Sequence, residues 1–220
     1  EKTQVDFVCA DGDWVTKGQK LGVIRGDIRV LLSGERVALN YLQRMSGIAT
    51  YTRNIVDLLA GSHTRLLDTR KTTPGMRILE KMAVKIGGGC NHRIGLFDMI
   101  LIKDNHVDFA GGISNAIRRA QEYLKEKGKN LKIEIEVRSF DELNEALATG
   151  GIDRIMLDNF SPADTRRAVE IIGGRVEVES SGGITYDTLR EYAECGVDVI
   201  SVGALTHSVK SLDMSFKAVK

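Results

Sequence analysis

Short apolar runs separated by turn residues open the chain: VDFVC (5–9), DGDWVTKGQKLGVI (11–24) and IRVLL (28–32), punctuated by Gly12, Gly18, Gly22 and Gly26. They predict a small β-rich lobe over residues 1–34. From Ser33 the period changes. Val37, Leu39, Tyr41, Leu42, Met45, Ile48 and Tyr51 fall mostly on one helical face, continued by Ile55, Leu58 and Leu59, so a connecting helical segment is expected over 35–64. From Arg65 onward, short apolar runs alternate with amphipathic helical stretches, the pattern of βα units around a parallel sheet. Strands are expected at 65–69, 99–103, 132–137, 154–158, 176–180 and 198–203, and helices at about 76–86, 114–127, 140–149, 162–172, 185–195 and 208–218. The last four strands begin about 22 residues apart, close to a minimal βα repeat. A doubly wound sheet alternates in the same way, but no GxGxxG follows the first strand. Six strands, where a closed barrel has eight, predict an α/β fold with an open or incomplete (β/α) barrel over 65–220.

Composition narrows the class of protein more than its function. The 220 residues carry 31 Lys+Arg against 30 Asp+Glu, a formal net charge of +1, so no global field selects partners. Hydrophobic content of 42% and charged content of 28% exclude a disordered or acidic-tail reading. No apolar run approaches the roughly 18 residues of a membrane helix and the first residues do not read as a signal peptide, so no membrane partner and a cytosolic location are expected. Aromatic content is 5% and no basic stripe accompanies it, so no nucleic-acid partner is expected. Cys9, Cys90 and Cys195 fall outside any CxxC spacing, which suggests neither a disulfide framework nor a zinc site. The run 11–24 looks like part of biotin- or lipoate-carrying sandwich domains, but no Met-Lys-Met or Asp-Lys-Ala acceptor follows it. The chain enters directly into an alternating pattern at Glu1, as though upstream sequence were absent, and is read as a fragment with part of its N-terminal lobe missing.

Chemistry in such barrels sits at the carboxyl ends of the strands, and here those ends are unusually polar. They supply Asp68, Thr69, Arg70 and Lys71; Lys103, Asp104 and Asn105; Glu134 or Glu136 with Arg138; Asp158 and Asn159; Glu179, Ser180 and Ser181; and Ser201 and Gly203. The loop GGGCNHRIG adds His92 and Arg93. Any one of these charges reads as a solvated loop residue; convergence at all six strand ends favours a site. Gathering Arg70, Lys71, His92, Arg93 and Lys103 needs an anionic ligand to offset repulsion and desolvation. A mixture of Arg forks and Lys point charges suits a ligand with both carboxylates and phosphates. Lys103 alone also reads as a surface lysine or as the Schiff-base lysine of an aldolase-like barrel. Ser181-Gly182-Gly183 and Val202-Gly203-Ala204 occupy the usual phosphate-binding positions after the last two strands. Glu136 and Asp158 are hard-oxygen donors of the kind that hold Mg²⁺. Glu134, deeper on the same strand face, reads equally as an interior ion pair.

Together GERVALNYLQRMSGIAT (34–50), DTRKTTPGMRILEKMAVKIGGGCNHRIGLFDMILIKDNH (68–106), IEIEV, IMLDN, ESSGGIT and SVGALTHSVKSLDMS resemble the quinolinate phosphoribosyltransferase family, type II phosphoribosyltransferases. The resemblance implies an open α/β barrel with an N-terminal α/β sandwich lobe, working as a dimer or assembly of dimers. It implies transfer of phosphoribosyl from phosphoribosyl pyrophosphate to the ring nitrogen of quinolinate, followed by loss of the 2-carboxylate as CO₂, giving nicotinate mononucleotide and pyrophosphate for NAD biosynthesis. It assigns Arg70, His92, Arg93 and Lys103 to the quinolinate carboxylates, with Thr69, Arg70 and Lys71 on one continuous binding strand-end, and Glu136 and Asp158 to the ribose hydroxyls and Mg²⁺. Ser181, Gly182, Gly183, Val202, Gly203 and Ala204 match its phosphate loops, His207 lies near Lys71, and Arg36 reaches a neighbouring subunit's site. Lys71, Lys103, Glu136 and Asp158 are the expected catalytic set. A nicotinate-using relative, or a non-catalytic pyridine-nucleotide-binding protein, are the alternatives.

Overall fold

A computed structural model describes residues 3–218. Strands β1 (Gln4–Phe7) and β2 (Gly22–Arg25) form an antiparallel pair, with Gln4 opposite Arg25 and Phe7 opposite Gly22. Helix α1 then runs from Ile28 to Leu58. IRVLL, expected as a strand, is therefore the first turns of this helix. Its β-branched and apolar residues fit either state, and Asp27 decides: its carboxylate accepts the Arg29 N–H at 2.8 Å, capping the helix. The first half of α1 packs on little, with Ile28, Val30, Leu32, Val37 and Tyr41 exposed; its buried residues are Gly47, Ile48, Thr52 and Ile55.

The remainder builds six parallel strands with helices between them: β3 (Arg65–Leu67), α2 (Arg77–Ile86), β4 (Ile100–Ile102), α3 (Asp104–Ala110), α4 (Ile113–Lys127), β5 (Ile133–Val137), α5 (Phe140–Thr149), β6 (Arg154–Asp158), α6 (Pro162–Ile172), β7 (Glu177–Ser181), α7 (Leu189–Ala193), β8 (Val199–Ser201) and α8 (Ala204–His207). The sheet order β3-β8-β7-β6-β5-β4 leaves β3 and β4 at the edges, so the barrel is open. Cys90 bridges the free edge of β3: its N–H reaches Leu66 O at 2.8 Å, and its carbonyl accepts the Asp68 N–H at 3.1 Å. Ile135, Ile155, Val178 and Ile200 pack against Leu143, Ala168, Ile172 and Leu189 in the core. Ser139 and Ser161 cap α5 and α6, and glycines 128 and 173 end α4 and α6 in the left-handed conformation.

All six expected strands form. Two helical expectations differ. Helix α3 was hidden because Asp104 and Asn105 read as a strand exit. The expected helix at 208–218 is absent, and residues 211–218 run extended along α1, where the Leu212 N–H donates to Gln43 O at 3.1 Å. Leu212, Met214 and Phe216 alternate half-buried with exposed neighbours, a period of two that no helix can use.

Candidate active site

Register sets which side chains share the barrel interior. Glu134 of β5 lies opposite Arg154 of β6, which lies opposite Glu177 of β7; one step up, Glu136, Met156 and Glu179 align; Asp158 faces Ser181 at the top. Side chains two apart share a strand face, so β5 and β6 each present an inner charge and a mouth charge, while β7 presents Glu177 and Glu179 inside and Ser181 at the mouth. The inner set is an ion network. Arg154 reaches Glu177 at 2.7 Å, Glu179 at 3.1 Å and Glu134 at 3.4 Å, and Arg65 pairs with Glu177. Glu134 thus takes the interior ion-pair role.

His92 closes this network from above. Its Nε2 lies 3.1 Å from Glu134 and 3.3 Å from Glu179, both fully buried. Its ring is therefore turned inward, unlike the other cations assigned to the mouth. Burial pulls the imidazole pKa down, but the two carboxylates pull it up further, to about 9. Nδ1 accepts the Arg93 N–H at 2.7 Å, which favours the neutral ring. Charge balance decides between them. Two carboxylates lie against Nε2 and one backbone N–H against Nδ1, so a proton on His92 offsets more charge than it opposes where water cannot. Burial, then the charge of Glu179, pushes Glu134 up to about 7. His92, Glu134 and Glu179 also offer ligand atoms within 4.8 Å of one another. However, Arg154 already places a cation on the same carboxylate oxygens, so the set is an ion network.

This carries a prediction. A folded-state pKa near 9 against an ordinary 6.5 means that the folded chain holds a proton which the unfolded chain releases between those values. The contribution is complete below pH 6.5 and lost as pH rises through 9, on the order of 2 kcal/mol. Thermal melts should show Tm falling across this window and a flatter profile for His92→Gln; parallel profiles would rule the shift out.

The mouth cations differ in how they are held. Arg70 and Lys71 are exposed and neither pairs with a carboxylate among the described residues. Arg93 is half-buried; burial, and then the charge of Arg70, hold its guanidinium below the ordinary value. Two guanidiniums therefore repel each other at the mouth. Lys103, by contrast, donates to Glu136 Oε2 at 2.5 Å. Thr69 stays half-buried, and its Oγ1 accepts the Lys71 N–H at 3.1 Å. His207, Lys71 and Gly203 converge: a Cβ on Gly203 would lie 2.9 Å from His207 Nε2 and 3.2 Å from Lys71 Cδ. The Thr206 hydroxyl donates to Lys71 O at 2.8 Å, joining the two loops. Arg36, exposed on the first half of α1, has no ion-pair or hydrogen-bond partner among the described residues.

At the ends of β6 and β7 the loops interlock. Asn159 adopts a left-handed φ of 55°, its N–H reaches Ser181 O at 2.9 Å, and its amide donates to Asp158 Oδ2 at 2.9 Å. Gly182, at φ 91°, lies against it, and a Cβ there would sit 2.4 Å from Asn159 Oδ1. Gly182→Ala therefore combines backbone strain with a clash at the exit of Asp158. It should lower Tm measurably and weaken phosphate-ligand affinity at least tenfold in a binding titration; parental affinity would show that the loop can yield.

Buried anchors beneath the mouth were not singled out from sequence. Glu80, fully buried, accepts Thr73 N–H at 3.0 Å and Arg44 Nη2 at 3.0 Å, which fixes the 69–76 loop to α1. Lys81, also buried, pairs with Asp68. The available signal was a pair of charges at the buried positions of an otherwise amphipathic α2. A polar concavity of about 540 Å³ opens at the opposite end of the strands, lined by Lys132, Asp153, Arg175, Glu177 and Asp198. Asp153 and Asp198 there accept the N–H groups of Ile133 and Val178, each at 2.8 Å, so its acids serve the sheet.

The family described as quinolinate phosphoribosyl transferase, C-terminal domain, matches residues 48–217, and its N-terminal domain family matches 1–46. A chloroplastic carboxylating nicotinate-nucleotide pyrophosphorylase of Arabidopsis thaliana is 48% identical over 97% of this chain and 65% of its own length. A probable carboxylating nicotinate-nucleotide pyrophosphorylase of Bacillus subtilis is 47% identical over 93% of this chain and 70% of its own. This chain thus spans slightly less than two thirds of the plant protein. The crystal structure of NadC from Streptococcus pyogenes superposes with a TM-score of 0.92 at 42% identity, covering 99% of this chain and 75% of that one. Among the described residues no helix is long and apolar enough to cross a membrane. With both of its domain families matched along one chain, and with an open barrel that superposes on a solved relative, the chain belongs to the quinolinate phosphoribosyltransferase family.

Proposed function

We propose that this chain transfers phosphoribosyl from phosphoribosyl pyrophosphate to the ring nitrogen of quinolinate and releases CO₂, forming nicotinate mononucleotide and pyrophosphate. The observation that carries the reading is that the segments bearing Arg70 and Arg93 meet at the mouth, where Asp68 accepts the His92 N–H at 2.8 Å, so that two like charges act on each other. Glu134 and Asp98 offset part of the cost of holding Arg93 there, and an anion between the two guanidiniums would offset more, two adjacent carboxylates supplying one for each fork. On the other side of the mouth, Glu136 and Asp158 present carboxylates where the ribose would lie. The loops 181–183 and 203–204 would offer backbone N–H groups to phosphates, with Lys71 and His207 beside the second, whereas the Val202 N–H is held by Leu67 O at 3.0 Å.

The residues of the chain then act by position and charge. As pyrophosphate departs with the electron pair of the C1–O bond, positive charge grows at ribose C1, and Glu136 and Asp158 stabilise it. Lys71 meets the charge on the leaving phosphates. The ring nitrogen attacks C1; once it is quaternary, the bond from C2 to its carboxylate breaks, the electron pair stays on C2, and a proton replaces CO₂. Mg²⁺ fits a narrower donor set: Asp158, a hard carboxylate at the mouth that is only half-buried, with the Glu136 oxygen that Lys103 leaves free. When bound, Mg²⁺ would neutralise pyrophosphate charge. Arg36 would complete the site of a second copy, making the active unit a dimer. A cytosolic location goes with this reading, although the Arabidopsis relative is named chloroplastic.

The test incubates the chain with quinolinate, phosphoribosyl pyrophosphate and Mg²⁺, following nicotinate mononucleotide and CO₂, with nicotinate as parallel acceptor. Product from quinolinate alone is expected. Product from nicotinate alone would move the chain to the monocarboxylate reading, and tight nucleotide binding without turnover would make it a binding protein.

A further inference from the structure

Two separate segments carry the opposed guanidiniums: residues 69–71 follow β3, and His92-Arg93 follow the Cys90 bridge. The Cys90 bridge and Arg77, which donates to Thr72 Oγ1 at 3.2 Å and to Ile94 O at 3.2 Å, join them at the surface, and a buried ion pair joins them from beneath. Asp68 is fully buried and Lys81 is 1% exposed. The Asp68 carboxylate pairs with Lys81 and accepts the His92 N–H at 2.8 Å, while Lys81 Nζ donates to His92 O at 3.2 Å. The peptide unit on each side of His92 is thus gripped, and Asp68 itself precedes Thr69 and Arg70 directly.

The pair is poorly suited to stabilising the fold. Burial moves Asp68 up and Lys81 down, each toward its neutral form, and their mutual attraction only partly reverses this. Asp68 Oδ2 has no hydrogen-bond partner among the described residues. An apolar pair of similar volume would serve stability as well or better. Against that cost stands what the pair holds in place, since Arg70 and Arg93 would drift apart under their own repulsion if the two segments were not tied.

We propose that the buried Asp68–Lys81 pair is a positioning element that fixes the spacing of Arg70 and Arg93, and that this spacing selects an acceptor with two adjacent carboxylates over one with a single carboxylate. The inference rests on the reading of the mouth as a pyridine-carboxylate acceptor site. Asp68 and Lys81 touch no substrate; they act through the segments that do.

The deciding variant is Asp68→Leu/Lys81→Met, which replaces the pair by apolar groups and leaves no buried charge alone. With Tm close to the parent, the KM for quinolinate is expected to rise tenfold or more. The KM for phosphoribosyl pyrophosphate should stay within about twofold, and the preference for quinolinate over nicotinate should fall. Lys81→Arg, which keeps charge and donors, should recover part of the quinolinate KM. If the double variant does not fold, Asp68→Asn, which keeps an acceptor for the His92 N–H but discharges the pair, is measured the same way and should show a smaller rise. Parental quinolinate KM in a folded variant, or both KM values rising together, overturns the proposal. Calorimetric binding of pyridine-2,3-dicarboxylate separates this from the functional reading. Without turnover, tight binding by the parent and tenfold weaker binding by the variant would sustain the positioning role and sink the transfer reaction. A parent that neither binds nor turns over the dicarboxylate overturns both.

Discussion

Replacing Arg70 by Ala is expected to lower kcat/KM for quinolinate by about 10²- to 10³-fold while leaving Tm unchanged or slightly higher. A guanidinium fork on a carboxylate contributes roughly 3 to 4 kcal/mol through two charge-assisted hydrogen bonds, and each 1.4 kcal/mol or so is tenfold in rate. The stability half of the expectation comes from Arg93, whose pKa Arg70 helps to depress. Removing Arg70 relieves that repulsion, and nothing buried is lost because Arg70 is exposed. Steady-state kinetics with thermal melts check both halves together. A large drop in Tm would make Arg70 a structural residue, and unchanged kcat/KM would remove it from the acceptor site.

The second large effect concerns the network below. Arg154→Met is expected to cost about 3 to 5 kcal/mol of unfolding free energy, the range for leaving buried charges unpaired. It would strand Glu134 and Glu179, both fully buried, with His92 as their remaining cation. Carboxylates in that position take up protons more readily, so the folded variant binds protons that the unfolded chain has released. Its deficit should grow as pH rises and shrink toward pH 5. Adding Glu179→Gln should recover part of the loss, giving a double-variant cost below the sum of the singles. Denaturant titrations at pH 5 and pH 8 read this directly, and a pH-independent deficit would point to lost packing instead.

The sheet was legible from sequence because each strand is a short apolar run bounded by turn residues, and the register then follows from the parallel order. Two segments were not. At 28–32 an apolar run of β-branched residues satisfies either period, and the deciding signal is the single Asp27 cap. At 208–218 the apolar residues were counted but their alternation was not. In the site, the exposed cations Arg70 and Lys71 were readable because a strand exit is a position with known consequences. The inward turn of His92 was not, because it depends on Glu134 and Glu179 meeting across two strands. Nor was the role of Lys81 readable, since a lysine on the apolar face of α2 is informative only once Asp68 is known to lie beneath it.

The placement of β8 beside β3 has a consequence for how the chain comes to be folded. The first and last strands of the sheet are neighbours, with Arg65 opposite Val199 and Leu67 opposite Ser201, and Thr206 meets Lys71 across a separation of 135 positions. Closing so long a loop carries an entropic cost that local βα pairs do not. During synthesis β3 must wait with an unpaired edge until almost the whole chain has emerged, while β4 to β7 can already stack in order. The proposed anion site, which draws on the segments after β3 and β8, would then be the last part of the barrel to form, so ligand affinity would register completion of folding.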